Sequence, residues 1–249
     1  MSRYFVEVAY KGTKYAGFQI QKNAETIQSH VESVLKIFYN IEVNLTGASR
    51  TDAGVHAFQN FFHFDADEFF RFDPLHLYNF NSLLPDDIVI NSIKEVDTKS
   101  HCRFDAISRS YEYLIYDHKD PFLKDLAFFY PYPLFFDKLN EAAKIIVEYN
   151  DFTSFSKRNT QVNHFNCDIY KSKWEKKENK IIYNVTANRF LRGMVRGLVG
   201  TMLKVGTGKI SIAEFKSIIE NKDNSKADFS VPARGLYLKN VSYPDLPNK

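Results

Sequence analysis

The sequence predicts an α+β fold of two similar βαββαβ lobes, each ferredoxin-like, with a cleft between them. Three observations carry this reading: short runs of alternating apolar residues, amphipathic helical stretches between them, and the same order of elements in both halves. The lobes are expected over residues 1–105 and 106–249.

Residues 4–10 alternate as a strand and enter a polar loop. Ile27, Val31, Val34, Leu35 and Phe38 then recur at helical spacing, with Thr26 placed to cap the helix. Ile41, Val43 and Leu45 alternate again, predicting a strand that runs into GASRTDAGVHA, residues 47–57; residues 55–65 follow as an aromatic-rich strand. Asp73-Pro74 opens a helix that ends before Pro85, and 88–96 returns to strand. In the second half, 110–116 reads as a strand, 137–149 as a helix, and 168–175 with 180–187 as a strand pair. FLRGMVRGLVGTMLKVG repeats apolar pairs every fourth residue and predicts a helix over 190–206. Its Gly193, Gly197 and Gly200 each weaken that helix by up to ~1 kcal/mol, which implies close packing against another backbone. Ser211-Ile-Ala-Glu214 is a capping box for a short helix, and 235–242 closes the chain as a strand.

A composition 44% hydrophobic and 16% aromatic is ample for a packed core and excludes disorder. Thirty-three Lys plus Arg against 30 Asp plus Glu gives +3, too little on its own to argue for nucleic acid. Cys102 and Cys167 lie far apart without a CxxC, so neither a zinc cluster nor a disulfide framework is indicated, and a reducing compartment fits. MSRYFVEVAY lacks the regions of a signal peptide, and no apolar run reaches ~18 residues, so the expectation is a soluble, cytoplasmic chain without a membrane partner.

GASRTDAGVHA carries more polar residues than a turn needs. If Arg50 approaches Asp52 to ~4 Å in a shielded cleft, the attraction is about 4 kcal/mol at an effective dielectric of about 20, enough to hold a carboxylate in its charged form and suit it to nucleophilic work. Taken alone, the spacing favours an Asx-turn carboxylate beside a solvated Arg. Ser49 or Thr51 as nucleophile with His56 as base lacks a third, orienting group. His101 with Cys102, and His164 with Cys167, assemble no metal quartet, and VGTGKI at 205–210 lacks the first Gly and the Ser/Thr of a phosphate loop. Arg189, Arg192 and Arg196 are spaced to share one face of the glycine-bearing helix, and KSKWEKKENK at 171–180 adds five Lys on a hairpin. Tyr111 and Tyr113 share a strand face, where paired tyrosines ordinarily pack.

Together these stretches resemble the tRNA pseudouridine synthase A family. GASRTDAGVHA looks like its catalytic-loop pattern, and YKGTKYAGFQIQ, TIQSHVE, NSLLPDDI, HCRFDAISRSYEYLIY, DFTSFS, NRFLRGMVRGLVGTMLKVG and ARGLYLKNVSYP follow in family order. The resemblance implies a pseudouridine synthase fold with a central catalytic cleft. It further implies isomerisation of uridine to pseudouridine on the 3′ side of the tRNA anticodon arm, by a homodimer that uses neither metal nor organic cofactor. It makes Asp52 the catalytic nucleophile, Arg50 its ion-pair partner, Tyr111 the ring against the target base, and Arg196 an arginine near the aspartate; Arg189, Arg192 and Lys204 join Tyr111 and Arg196 as substrate-binding residues. Two positions depart from the family: Phe18 stands where Trp is usual, and Ser49 where Gly is commoner.

Overall fold

The computed structural model describes residues 1–67, 70–157 and 162–244, so residues 245–249 of the second expected lobe lie outside the described residues. Along the chain run β1 (Ser2–Tyr10), α1 (Ile27–Tyr39), β2 (Thr46–Gly47), β3 (His56–Ala66), α2 (Leu77–Leu83), β4 (Ile88–Val96), β5 (Ser108–Tyr116), β6 (Phe128–Phe129), α3 (Phe136–Ile145), β7 (Ile169–Lys177), β8 (Lys180–Ala187), α4 (Met194–Gly206), α5 (Ile212–Glu220) and β9 (Leu236–Ser242). The class is α+β, as the sequence predicts. The chain divides into two compact units, Met1–Ile107 with the segment from Tyr237 onward, and Ser108–Leu236.

In the first unit β1 lies between β3 and β4 and pairs antiparallel with both. The outer edge of β3 takes β2 through Thr46↔His63 and Gly47↔Phe62, and takes the closing strand in parallel through His56↔Tyr237 and Ala57↔Leu238. The strand that chain order assigns to the second half therefore pairs here. Helix α1 starts where the Thr26 hydroxyl accepts from the Ser29 N–H and Ser29 Oγ accepts from the Thr26 N–H, and it stops at Asn40, which is left-handed at φ 55°. Its Ile27, Val31, Val34 and Leu35 are buried. Phe18, fully buried, stacks on Phe62 with ring centroids 4.2 Å apart; burying such a ring contributes about 1.5–3 kcal/mol.

The alternation at Ile41, Val43 and Leu45 does not become a strand; only Thr46 and Gly47 pair. The reason is competition from α1. Glu32 Oε1 accepts the Leu45 N–H at 2.9 Å and Gln28 Nε2 donates to the Leu45 carbonyl at 2.8 Å, so helix side chains take the groups a neighbouring strand would have used. The helix predicted from Pro74 opens as a single 3-10 turn, Pro74–His76, with Asp73 Oδ1 accepting from Leu75 N, and α2 ends at Leu84, extended ahead of Pro85.

In the second unit β5 pairs antiparallel with β8 and β8 with β7, while the two-residue β6 lies parallel to β5. Trp174 is wholly buried against Tyr183, 4.9 Å between centroids, and donates its ring N–H to Met202 Sδ on α4. The helix predicted over 137–149 is α-helical to Ile145 and tightens to a 3-10 turn over Ile146–Glu148. The capping box at Ser211 forms as predicted.

Helix α4 corrects the sequence reading. It begins at Met194, not at Phe190, because Gly193 sits left-handed at φ 75° and a right-handed helix cannot continue through it. Only Arg196 of the three arginines is helical, so Arg189, Arg192 and Arg196 do not form one helix face. The expected close packing is present at Gly200, where a Cβ would lie 2.2 Å from the Asp228 carbonyl oxygen.

Candidate active site

Residues 48–55 link β2 to β3, and burial alternates over 49–52: Ser49 and Thr51 face inward while Arg50 is exposed and Asp52 half-buried. The inward residues are tied down. Thr51 Oγ1 lies 2.7 Å from the Tyr10 hydroxyl, and the Thr51 carbonyl accepts from Phe18 N at 3.1 Å. Asn60, wholly buried on β3, donates from Nδ2 to the Ser49 carbonyl at 2.9 Å and to the Tyr10 hydroxyl at 3.2 Å. Val55 N–H donates to the Asp52 carbonyl at 3.2 Å and closes a tight turn. No ion pair joins Arg50 to Asp52 among the described residues.

His56 is buried, accepts the Gly12 N–H at Nδ1 (3.1 Å), and stacks on Tyr237 at 4.6 Å. Its accepting nitrogen is thereby taken by the backbone, which makes it a clasp for the start of β3 rather than a base for Ser49 or Thr51. Ser49 Oγ is buried and has no hydrogen-bond partner among the described residues. The Phe18 ring lies directly over Gly47, where an added Cβ would collide with it.

The second unit carries the other candidates. Tyr111, half-buried on β5 opposite Val185, meets Phe190 edge-on at 5.0 Å. Tyr113 is different: fully buried, it donates its hydroxyl to the Pro232 carbonyl, and burial pushes its pKa up well beyond the ordinary tyrosine value, with Arg196 and Arg234 offsetting only part of that shift. Arg196 donates from Nε to the Val231 carbonyl at 2.8 Å and from Nη2 to the Phe229 carbonyl at 3.3 Å, a grip on two carbonyls that suits the rigid guanidinium fork. Lys204 pairs with Asp228 at 3.2 Å. Burial alone would raise the Asp228 pKa, but hydrogen bonds from Ser230 and Lys204 outweigh it and hold the carboxyl below its ordinary value. Arg189 Nη1 lies 3.1 Å from His164 Nε2, and Arg192 is exposed, its carbonyl accepting from Lys157 N.

One grouping is invisible in the sequence. His63, His101 and Cys102 bring ligand-type atoms within 4.8 Å of one another. Cys102 Sγ lies 3.1 Å from His63 Nδ1 and donates to the Thr46 carbonyl, while His101 Nδ1 accepts from the Arg103 and Phe104 N–H groups. Burial first, then Arg3, lowers the His63 pKa to about 4, so the ring is neutral near pH 7. These atoms are engaged within the chain and tie the segment after β4 to β3.

Among the described residues no helix is long and apolar enough to cross a membrane. A family profile described as tRNA pseudouridine synthase matches residues 142–244. A protein of Porphyromonas gingivalis named tRNA pseudouridine synthase A is 44% identical over 247 residues, covering 98% of each chain. Its namesake in Parabacteroides distasonis is 43% identical over 98% of this chain and 97% of its own, and that of Staphylococcus aureus 38% identical over 96% and 91%. Identity of this level along almost the whole length of each partner is decisive: the chain belongs to the tRNA pseudouridine synthase A family.

Proposed function

We propose that this protein isomerises uridine to pseudouridine in tRNA, on the 3′ side of the anticodon arm. The observation that carries the reading is the intact Arg50-Thr51-Asp52 loop, with both outward residues on a pinned backbone, in a chain whose relatives of that name match it end to end. A stacked uridine is first flipped out, at a cost of a few kcal/mol. Phosphate contacts from Arg189, Arg192, Arg196 and Lys204 supply that energy without reading sequence. Lys204 would have to leave or share Asp228 to do so. Asp52 then opens the N1–C1′ bond, by attack at the sugar or by proton abstraction from it. The uracil rotates, C5 bonds to C1′, and the C5 proton leaves; Tyr111, lying against the base, takes or relays it. Arg50, exposed in the free chain, is assigned to the charge of Asp52.

The succession β5, α3, β7, β8, α4, in the order of β1, α1, β2, β3, α2, supports reading the halves as ferredoxin-like lobes, and we assign a homodimer acting in the cytoplasm. The test is tritium release from tRNA labelled at uridine C5. Release by the wild type and its loss in Asp52→Asn is the expected result. No release by the wild type, or full release by the variant, overturns the proposal.

A further inference from the structure

We infer that Tyr10, Thr51 and Asn60 form a positioning clamp that sets the Asp52 carboxylate for catalysis; this rests on the function proposed above. The directions of the Asn60 bonds follow from their partners. Asn60 Oδ1 accepts from the Phe61 N–H, which can only donate, and Asn60 Nδ2 donates to the Ser49 carbonyl, which can only accept. The amide orientation is thereby fixed, and its Nδ2 also donates to the Tyr10 oxygen. The Tyr10 hydroxyl in turn shares a hydrogen bond of 2.7 Å with Thr51 Oγ1, in which either oxygen can donate. Tyr10 is itself immobilised: buried, it packs on Phe18, which stacks on Phe62.

The clamp holds the two inward residues of the loop, Ser49 by its carbonyl and Thr51 by its hydroxyl, while the Phe18 N–H separately holds the Thr51 carbonyl. The outward residues, Arg50 and Asp52, follow each of them directly, so fixing 49 and 51 fixes the origin of both functional side chains. None of the three clamp residues needs to touch the nucleotide. They act through the backbone of Asp52, where a displacement of about 1 Å is enough to cost roughly 100-fold in rate.

The experiment measures kcat and KM for tritium release in wild type, Tyr10→Phe, Thr51→Val, Thr51→Ser and the Tyr10→Phe/Thr51→Val double variant, with circular dichroism to confirm folding. Each hydroxyl deletion is expected to lower kcat by about 10- to 100-fold with KM unchanged, and Thr51→Ser to recover to within about threefold of wild type. The double variant should fall no further than Tyr10→Phe alone, because that substitution already deletes the bond that Thr51→Val removes, together with the one from Asn60 Nδ2. Unchanged kcat in folded Tyr10→Phe and Thr51→Val, or losses that multiply in the double variant, overturns the clamp while leaving the function standing. Where Tyr10→Phe does not fold, the Thr51→Val against Thr51→Ser comparison decides alone. A wild type without release overturns both the function and the clamp.

Discussion

The hydroxyl of Tyr113 donates to the Pro232 carbonyl at 2.7 Å, whereas Tyr111, two residues earlier on the same strand face, is half-buried against the edge of Phe190. Tyr113 is thereby tied into the packing, while Tyr111 is the one proposed for chemistry. Tyr113→Phe is expected to cost about 1 kcal/mol of stability, seen as a lowered melting temperature, while turnover on tRNA stays within about twofold. Tyr111→Phe should bind tRNA and lose turnover, and normal turnover in that variant would remove it from proton transfer.

The grip of Arg196 on the Val231 and Phe229 carbonyls uses two of its five N–H donors in a fixed fork. Arg196→Lys keeps the charge but not the fork, so it is expected to lower kcat by at least about tenfold. Steady-state kinetics beside wild type checks this.

Arg192 lies in the exposed turn before α4 rather than on its face. If it contacts a phosphate, Arg192→Ala should weaken tRNA binding across all tRNAs and reduce the slope of log affinity against log salt by about one. Binding isotherms at several salt concentrations provide the slope; an unaltered slope would assign Arg192 elsewhere.

Ser49 Oγ, buried and without a hydrogen-bond partner among the described residues, is an expense in the folded state. Ser49→Ala is expected to raise stability by up to about 1 kcal/mol and to leave tritium release intact. A loss of turnover would instead make the hydroxyl functional.

His63 gives the fold a pH dependence. Its folded-state pKa, lowered to about 4 by burial and by Arg3 and His101 against the opposing Asp65 and Asp105, lies below the ordinary 6.5 of an exposed histidine. The unfolded chain binds the proton more readily between those values, so the contribution is full above pH 6.5 and is lost as pH falls toward 4. Denaturant melts at pH 7 and pH 5 are expected to differ by up to about 2 kcal/mol more in wild type than in His63→Asn.

Much of this molecule is legible in its sequence because local signals agree with the final packing. Thr26 and Ser211 cap helices as their spacing demands, and Asp52 and Arg50 emerge outward from a loop whose polar residues exceed the needs of a turn. What escapes is set by partners distant along the chain. At the end of the alternating 41–45 stretch the Leu45 N–H and carbonyl are taken by Glu32 and Gln28 of α1, and a single left-handed glycine breaks the arginine spacing that resembles a basic helix face. Tyr10 and Asn60 look like ordinary members of aromatic-rich strands, and nothing local announces that they bond each other and, between them, Thr51 and Ser49.

The parallel pairing of His56 and Ala57 with Tyr237 and Leu238 has a consequence for biosynthesis. The Asp52 loop leaves the ribosome early, yet the strand flanking its exit is paired by residues translated only after the whole of 108–236. The nascent first unit must therefore wait with the start of β3 unpaired on that edge, and a message cut short before codon 237 yields a polypeptide that contains every catalytic candidate but lacks the residues that pair with His56 and Ala57 beside the Asp52 loop.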